Sequence, residues 1–285
     1  MISLNKNYNN KSFIKQKILK KDNLKISVLA SGSTGNVTYI ESEKEKLLID
    51  AGLSGKKIEE LLNQIGHSLS EIDGLLITHE HNDHSHGAGV ISRKYDIPIY
   101  ANKDTWNAMG KLIGNIKLQN KCDFENNSLK TIGDIDIESF RVSHDAVNPQ
   151  FYAIHYNNKT FVIISDTGYI SDYVQGVIKN ADGYLFECNH DLEMLRSGQY
   201  PWSLKRRIMS DTGHLSNIDA ANYLSKLIGN KTKNIFLGHL SQNNNQKDLA
   251  KITVSSILKE HDFNVDNDFI LRNTDFDKPT DIMDI

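Results

Sequence analysis

Few cysteines, no long apolar run and no large excess of one charge characterise this sequence, and each absence excludes a class of protein. The 285 residues include two cysteines, Cys122 and Cys188, which are too few for a disulfide framework and indicate a reducing compartment. No apolar run approaches the roughly 20 residues of a membrane-spanning helix. Asn, Lys and Tyr interrupt the N-terminal region, so no signal peptide is predicted. A net charge of -3 excludes a uniformly positive surface but not a local basic groove. We therefore expect a cytoplasmic protein without a membrane segment.

Composition divides the chain into three parts. Residues 1–24 are rich in Lys and Asn and predict an N-terminal extension, either a solvated basic tail or an arm that binds nucleic acid. Residues 25–263 mix strand and helix patterns without an internal repeat or a Pro- or Gly-rich linker, which predicts one α/β (α+β) domain of two similar halves. Residues 264–285 form an acidic C-terminal tail, and we expect the chain to fray from Asp262 onward.

The periodicity of apolar residues predicts the main elements of the domain. Strands are predicted at residues 24–29, 37–41, 47–49, 72–77, 97–100, 135–142, 151–156, 160–164, 184–186 and 234–237. Helices are predicted at residues 54–65, 87–95, 103–112, 217–228 and 248–259. The segment between the strands at 151–156 and 160–164 has the composition of a hairpin turn.

The stretch Thr-His-Glu-His-Asn-Asp-His-Ser-His at residues 78–86 directly follows a predicted strand. A single histidine carries little weight as a ligand, because histidines often lie at surfaces or satisfy hydrogen bonds in a core. His79, His81 and His84 together with Asp83 form the kind of donor set that divalent metals take. In extended backbone, side chains two positions apart point the same way, so His79 and His81 can reach one ion. Asp83 and His84 follow across a turn, where a second ion could bind. The last histidine of the stretch falls outside this pattern and is expected at the surface or behind the ligands.

Three more candidate ligands follow predicted strands elsewhere in the chain. They are His144, Asp166 and His239. Sheets in α/β proteins place their sites just beyond the ends of strands. We therefore expect these side chains to converge with the histidine stretch on one metal site.

The pattern His79-x-His81-x-Asp83-His84, followed by His144, Asp166 and His239, resembles the metallo-β-lactamase-fold hydrolases. The resemblance implies a four-layer αβ/βα sandwich with the site along one edge of two sheets. It implies two divalent ions, Zn²⁺ or Mn²⁺: the first on His79, His81 and His144, the second on Asp83, His84 and His239, with Asp166 bridging both. The true lactamases of this superfamily carry a cysteine at the position of Asp166, so antibiotic hydrolysis is not expected.

Two ions about 3.5–4 Å apart would activate a water between them and offset the negative charge that develops during hydrolysis. The expected nucleophile is a hydroxide between the ions, and Asp83 is expected to orient it as a catalytic residue besides binding metal. The short interval between Asp166 and His239 leaves no room for the large inserted domain of some RNA-processing and DNA-repair nucleases. A nucleic acid substrate would therefore have to be held by the core and its loops.

Three further segments have residues suited to binding phosphates. The loop Ser31, Gly32, Ser33, Thr34, Gly35 and Asn36 is either a tight turn or a source of free backbone N–H groups for a phosphate. Segment 200–207 is either a solvated helix face with Trp202 in the core, or a patch where Lys205, Arg206 and Arg207 meet phosphates and Trp202 stacks on a base. His214 precedes a helix capped by Ser216 or Asn217, where it could bind a phosphate or protonate a leaving oxygen as a catalytic residue.

These segments together resemble the YycJ (WalJ) family of bacterial proteins, from about residue 25 to about residue 263. The resemblance also covers residues 50–54, 165–169 and 187–191, and we assign His190 in the last of these to substrate binding. It implies a 5′-to-3′ exonuclease that hydrolyses phosphodiester bonds of double-stranded DNA, and it leaves open whether that DNA carries a 5′ phosphate. A role in DNA mismatch repair is implied as well.

Two other functions stay open at this point. One is a small-molecule phosphodiesterase or thioesterase on the same fold, and the other is a metal-binding regulatory protein with little turnover, linked to cell-wall signalling. The complete set of seven ligands disfavours the regulatory protein. The consecutive cations at 205–207 favour DNA over a small molecule.

Overall fold

The computed structural model describes residues 23–285, so the predicted extension at 1–24 lies outside the described residues except for its last two. Within residues 23–285 the chain forms two seven-stranded sheets. The first sheet contains β1 (Lys25–Ala30), β2 (Val37–Glu41), β3 (Lys46–Ile49), β4 (Gly74–Leu76), β5 (Ile99–Ala101), β6 (Lys121–Asp123) and β14 (Met283–Asp284). The second sheet contains β7 (Leu129–Ile132), β8 (Ile135–Arg141), β9 (Gln150–Tyr156), β10 (Lys159–Ile164), β11 (Gly183–Glu187), β12 (Asn234–Gly238) and β13 (Ile270–Asn273).

Helices of four to fourteen residues connect the strands. They are α1 (Gly55–Gln64), α2 (Asn82–Ser85), α3 (Ala88–Tyr95), α4 (Lys103–Ile113), α5 (Asp172–Ile178), α6 (Leu192–Ser197), α7 (Trp202–Ile208), α8 (Asn217–Leu227) and α9 (Lys247–Glu260). In the part of the chain that the structure describes, none of them is long and apolar enough to cross a membrane. The five helices predicted from periodicity are all present, whereas α2, α5, α6 and α7 have seven residues or fewer and are too short to show it.

Both sheets follow the same plan, antiparallel strands followed by parallel ones. The first sheet has the order β14-β1-β2-β3-β4-β5-β6, and its pairs are antiparallel up to β3 and parallel beyond it. The second sheet has the order β13-β12-β11-β10-β9-β8-β7, antiparallel from β7 to β10 and parallel from β10 to β13. The two similar halves predicted from the sequence are therefore present.

Successive residues of the strands face different layers, because side chains alternate across a pleated strand. Leu47 belongs to a buried cluster that includes Ile154 of the second sheet, whereas its neighbour Leu48 belongs to a cluster that includes Ile58 of α1. Leu224 of α8 packs in the same cluster as the second sheet. Two sheets thus lie between two layers of helices, which confirms the predicted four-layer αβ/βα sandwich.

The expectation that the chain frays from Asp262 onward is wrong. Strand β13 pairs with β12, and β14 pairs with β1, so residues 264–285 extend both sheets. Phe269 and Leu271 are buried, and the Thr280 hydroxyl oxygen accepts a hydrogen bond from the N–H of Val28 at 3.0 Å. Strands of four and two residues are too short to show the alternation of apolar and polar residues that indicates a strand. Acidic residues separate the two strands, which gives the segment the composition of a tail.

This correction predicts that residues 264–285 contribute to stability. Leu271→Ala is expected to lower the free energy of unfolding by about 2–4 kcal/mol, because it leaves a cavity under a fully buried side chain. Ile270→Ala on the same strand removes a side chain that is 41% exposed, so it should cost less than about 1 kcal/mol. Urea unfolding of both variants measures the difference. Equally small losses of unfolding free energy in the two variants would contradict the burial of Leu271 in the core.

Candidate metal centre

Polar side chains gather at the edge where the parallel strands of both sheets end. Asp50 follows β3, Asp166 lies two residues beyond β10, and His239 follows β12. Their φ angles are 63°, 40° and 52°, a left-handed conformation that is costly for residues other than glycine. Strand β4 runs to the same edge and continues into the histidine stretch, whose second half forms α2. Asp166 and His239 contact each other at this edge, and Asp50 contacts His84 of the histidine stretch.

The first group of potential ligands consists of His79, His81 and His144. One ring nitrogen of each lies within 4.8 Å of the others, and His144 Nε2 is 3.3 Å from His81 Nδ1. His79 and His144 are buried. Because His81 stands two positions after His79, both rings reach the same point, as the alternation of an extended segment predicts.

Asp166 lies between this group and the remaining ligands. Its Oδ2 is 3.3 Å from His84 Nε2, 3.7 Å from His144 Nε2 and 4.0 Å from His79 Nε2, and its Oδ1 contacts His239 Nδ1. Asp83 and His239 form a further group with it, their Oδ2 and Nε2 atoms being 3.8 Å apart. Burial raises the pKa of Asp166, but His239 and His84 outweigh it and hold this pKa well below its usual value. An ionised carboxylate thus occupies the centre of the cluster.

These donors fit divalent metal ions. His79 Nε2 is buried and, among residues 23–285, has no hydrogen-bond partner. Burial, reinforced by the neighbouring His84, lowers the pKa of His79 well below its usual value and favours the neutral imidazole that binds metal. Imidazoles combined with carboxylates suit Zn²⁺ and tolerate the harder Mn²⁺. The chain therefore provides a candidate site for divalent metal where the sequence predicts it.

Asp50 supports the cluster from behind and was not assigned a role from the sequence. Its Oδ2 lies 2.7 Å from His84 Nδ1, and its oxygens accept hydrogen bonds from the backbone N–H and the hydroxyl of Thr78. With Nδ1 engaged in this way, Nε2 of His84 faces the carboxylates of Asp83 and Asp166. Such a carboxylate–histidine pair fixes the orientation and tautomer of a metal ligand.

Glu187, the last residue of β11, is fully buried beside the cluster. Its Oε2 accepts hydrogen bonds from the backbone N–H groups of Thr167 and Leu215, at 2.9 and 3.1 Å. Its Oε1 lies 2.7 Å from His214 Nδ1. Burial lowers the pKa of His214, but the Glu187 carboxylate outweighs it and raises this pKa to about 9. His214 thus has its Nδ1 paired, and its Nε2 is the nitrogen left to act on a substrate.

A cavity of about 250 Å³ opens above the cluster. Its lining includes the metal-ligand candidates His81, Asp83, His144, Asp166 and His239, together with Ser33, Tyr200, Arg207 and His214. The side chains of His214 and Arg207 therefore share one cavity with the potential ligands. This places a proton donor and a cation where the substrate of a metal centre would lie.

The loop at 31–36 mainly supports the ligands. The N–H groups of Ser31, Gly32, Gly35 and Asn36 donate to oxygens of the protein itself, so the predicted free N–H groups are absent at these positions. The Ser31 hydroxyl oxygen accepts the backbone N–H of His239 at 2.7 Å, and the Asn36 N–H donates to the Asp83 carbonyl at 2.8 Å. Ser33 and Thr34 are exposed, and Ser33 lines the cavity.

Gly52 allows the ligand loop to pass close to the neighbouring backbone. A Cβ atom at this position would lie 1.7 Å from the Asp83 carbonyl oxygen and 2.7 Å from the Asn36 nitrogen. A side chain here would therefore push away the segment that carries Asp83.

Segment 200–207 brings fewer of the predicted side chains to the cavity than the sequence indicates. Trp202 is 58% exposed, so the alternative that places it in the core is wrong, and its assignment to base stacking stays a prediction because it lies outside the lining of the cavity. Lys205 is buried, and its Nζ donates hydrogen bonds to the carbonyl oxygens of Arg196 and Gly198, both at 2.7 Å, so its assignment to substrate binding is wrong. Arg206 is exposed and lies outside the lining of the cavity. Arg207 lines the cavity, and its Nε donates to the Asp145 carboxylate.

The assignment of His190 to substrate binding is also wrong. Its side chain is buried, the whole residue being 1% exposed, and it lies outside the lining of the cavity. Burial lowers the pKa of His190 to about 4, which keeps it neutral. Its backbone forms a bridge with Ser216, the N-cap of α8, so it belongs to the support of the loop that carries His214.

Comparison with known proteins gives consistent matches over most of the chain. The sequence profile of the metallo-beta-lactamase superfamily matches residues 30–239. An exodeoxyribonuclease YycJ of Bacillus anthracis is 54% identical to this chain over 259 residues, which are 91% of this chain and 98% of that protein. An exodeoxyribonuclease WalJ of Streptococcus pneumoniae serotype 2 (strain D39 / NCTC 7466) is 53% identical over 263 residues, 92% of this chain and 98% of that protein.

Solved structures share the fold at lower identity. The metallo-beta-lactamase fold protein YhfI from Bacillus subtilis superposes with a TM-score of 0.70 and 19% identity over 91% of this chain and 99% of its own. The short form of human tRNase Z gives a TM-score of 0.57 and 17% identity over 76% of this chain and 93% of its own. At these identities the likeness concerns the architecture alone.

Proposed function

Since this chain belongs to the metallo-beta-lactamase superfamily and, within it, to the family of the YycJ and WalJ exodeoxyribonucleases, we propose that it is a metal-dependent exodeoxyribonuclease. This membership confirms the family resemblance found in the sequence. The observation that carries the proposal is the convergence of seven histidine and aspartate side chains in one cluster at the ends of the strands. The full proposal is a 5′-to-3′ exonuclease on double-stranded DNA, which acts in the cytoplasm and in mismatch repair.

The seven side chains would hold two divalent ions, Zn²⁺ or Mn²⁺. His79, His81 and His144 are the ligands of the first ion in this proposal, and Asp83, His84 and His239 those of the second, with Asp166 shared. The position of Asp166 Oδ2 within 4.0 Å of three of these histidines supports the shared role. Bound ions would activate water and offset the charge that develops on the phosphate.

The residues around the ligands supply the remaining steps. The carboxylate of Asp83 faces the cavity and would orient the attacking water and hold its proton. Arg207 would bind a phosphate oxygen, because its guanidinium reaches the same cavity. His214 would protonate the leaving oxygen, and the raised pKa caused by Glu187 keeps its proton available at neutral pH.

End-labelled DNA tests the proposed function. Duplex and single-stranded DNA labelled at either end, with and without a 5′ phosphate, are incubated with the protein in Mn²⁺ or Zn²⁺. We expect stepwise release of nucleotides from the 5′ end of the duplex. Parallel assays use bis(p-nitrophenyl) phosphate and an acyl thioester. Turnover of either small compound without any digestion of DNA would contradict the proposal and favour a small-molecule hydrolase.

His214→Ala is expected to lower the turnover of duplex DNA by about 100-fold or more, because a positioned general acid contributes at least that much. The metal content should stay at the wild-type level, since His214 is not among the proposed ligands. Turnover and metal content are measured on the same preparation, with the exposed His261→Ala as control. A parallel fall of turnover and metal content would show instead that His214 holds the cluster together.

A further inference from the structure

A second cavity adjoins the metal centre, and we name it the tyrosine cavity after two residues of its rim, Tyr169 and Tyr173. Its volume is about 420 Å³, which is in the range of pockets that hold small organic ligands. His144, a proposed ligand of the first ion, lines both this cavity and the cavity above the cluster. A nucleic acid strand that passes over His144 would therefore enter both cavities.

The rim of the tyrosine cavity offers aromatic surface. Tyr169 is 46% exposed and Tyr173 is 58% exposed, whereas Ile170 and Val174 below them are buried and form an apolar floor. Exposed aromatic rings beside an apolar floor provide the surface on which an unpaired base stacks. Such stacking does not depend on the identity of the base, as an exonuclease requires.

A cation stands at the same rim. Arg141, on β8, is exposed and lines the cavity. In the described part of the chain, no carboxylate lines the tyrosine cavity and no ion pair engages the Arg141 side chain. A free guanidinium beside an aromatic surface matches the alternation of phosphate and base along a nucleic acid strand.

The aromatic rim is tied directly to the metal centre. Tyr169 lies three residues after Asp166, and the N–H of Gly168 between them donates to the Ser143 carbonyl at 3.0 Å. A Cβ atom at Gly168 would lie 2.2 Å from the Ser210 carbonyl oxygen, so the loop before His214 packs closely on this segment. The distance between the tyrosines and the metal ligands is therefore fixed by the backbone.

We propose that the tyrosine cavity binds a nucleotide next to the scissile phosphate, with its base stacked on Tyr169 and Tyr173 and its phosphate held by Arg141. This subsite rests on the proposed function, because it presupposes a DNA strand in the metal centre. It keeps the end of the digested strand unpaired from its complement while the next bond is cut.

Steady-state digestion of 5′-labelled duplex tests the subsite. Tyr173→Leu keeps apolar volume but removes the ring, and it should raise KM about tenfold with kcat within about twofold of wild type. Tyr173→Phe keeps the ring and should behave as wild type. Arg141→Gln should raise KM. It should also lower the slope of log KM against log salt concentration by about one, the contribution of one phosphate contact. Lys56→Gln, a charge removal at an 88% exposed side chain of α1, is the control.

Abasic substrates separate stacking from a general loss of affinity. An abasic site is moved one position at a time along the first nucleotides of the digested strand. We expect one position at which the abasic site raises the KM of the wild type as much as Tyr173→Leu raises it on intact DNA. At that position the abasic site should not raise the KM of Tyr173→Leu any further. Circular dichroism and thermal unfolding check that all variants are folded.

The outcomes distinguish this subsite from the proposed function. If the wild type digests DNA but Tyr173→Leu and Arg141→Gln match Lys56→Gln in KM, the subsite is overturned and the nuclease remains. Equal rises in KM in Tyr173→Phe and Tyr173→Leu overturn the proposed stacking. If the wild type does not digest DNA, the proposed function fails, and the subsite fails with it.

Discussion

Asp83→Ala is expected to lower the rate of DNA digestion by about 1,000-fold or more, because it removes a carboxylate ligand and the group that orients the nucleophile. The fold should persist. The Asp83 side chain is partly exposed, and the contact that holds its segment is made by its backbone carbonyl with the N–H of Asn36. Digestion of 5′-labelled duplex gives the rate, and thermal unfolding gives the stability.

The matched control for this variant is Asp123→Ala, which removes an exposed carboxylate from the edge strand β6. We expect its rate to equal that of the wild type. Full activity in Asp83→Ala would contradict the assignment of the site. A global loss of structure in Asp83→Ala would contradict the view that this carboxylate serves the reaction and not the fold.

Glu187→Ala is expected to lower the free energy of unfolding by roughly 3–5 kcal/mol, the range measured when one partner of a buried charged pair is removed. The carboxylate is fully buried, and its loss leaves the N–H groups of Thr167 and Leu215 without their acceptor. It also removes the partner of His214, so activity should fall together with stability. Chemical denaturation measures the first effect and duplex digestion the second.

Glu193→Ala on α6 provides the comparison, because that carboxylate is 83% exposed and pairs with Arg196 at the surface. Its stability should stay within about 0.5 kcal/mol of the wild-type value. A loss below about 1 kcal/mol in Glu187→Ala would show that the buried carboxylate is not required to hold the loop of His214.

The candidate metal ligands could be predicted to lie together because two local signals coincide. The spacing of His79, His81, Asp83 and His84 is visible within six residues, and each remaining candidate follows an apolar strand. Asp50 and Glu187 end or follow strands in the same way, and this signal could have found them. Their role depends on contacts with His84 and His214, which are 34 and 27 positions away in the chain. Sequence patterns do not reveal such pairings.

The polar side chains that line the cavity were harder to predict, because composition does not tell which side chains reach a cavity. Lys205 resembles its neighbours Arg206 and Arg207, yet only its amine is buried and satisfied by two carbonyl groups. Two positions along α7 separate the buried amine of Lys205 from Arg207, which lines the cavity. The tyrosine cavity leaves no signal in the sequence for a similar reason, since Arg141 and Tyr173 lie on a strand and a helix that are distant in the chain.

Metal titration tests the central claim most directly. The protein is stripped of metal with a chelator and then titrated with Mn²⁺ or Zn²⁺, while bound metal is measured by mass spectrometry and digestion of 5′-labelled duplex is followed. We expect no digestion by the stripped protein, and full activity when two ions are bound per chain. Wild-type activity in protein free of metal, or binding that saturates below two ions at full activity, would contradict a dinuclear centre.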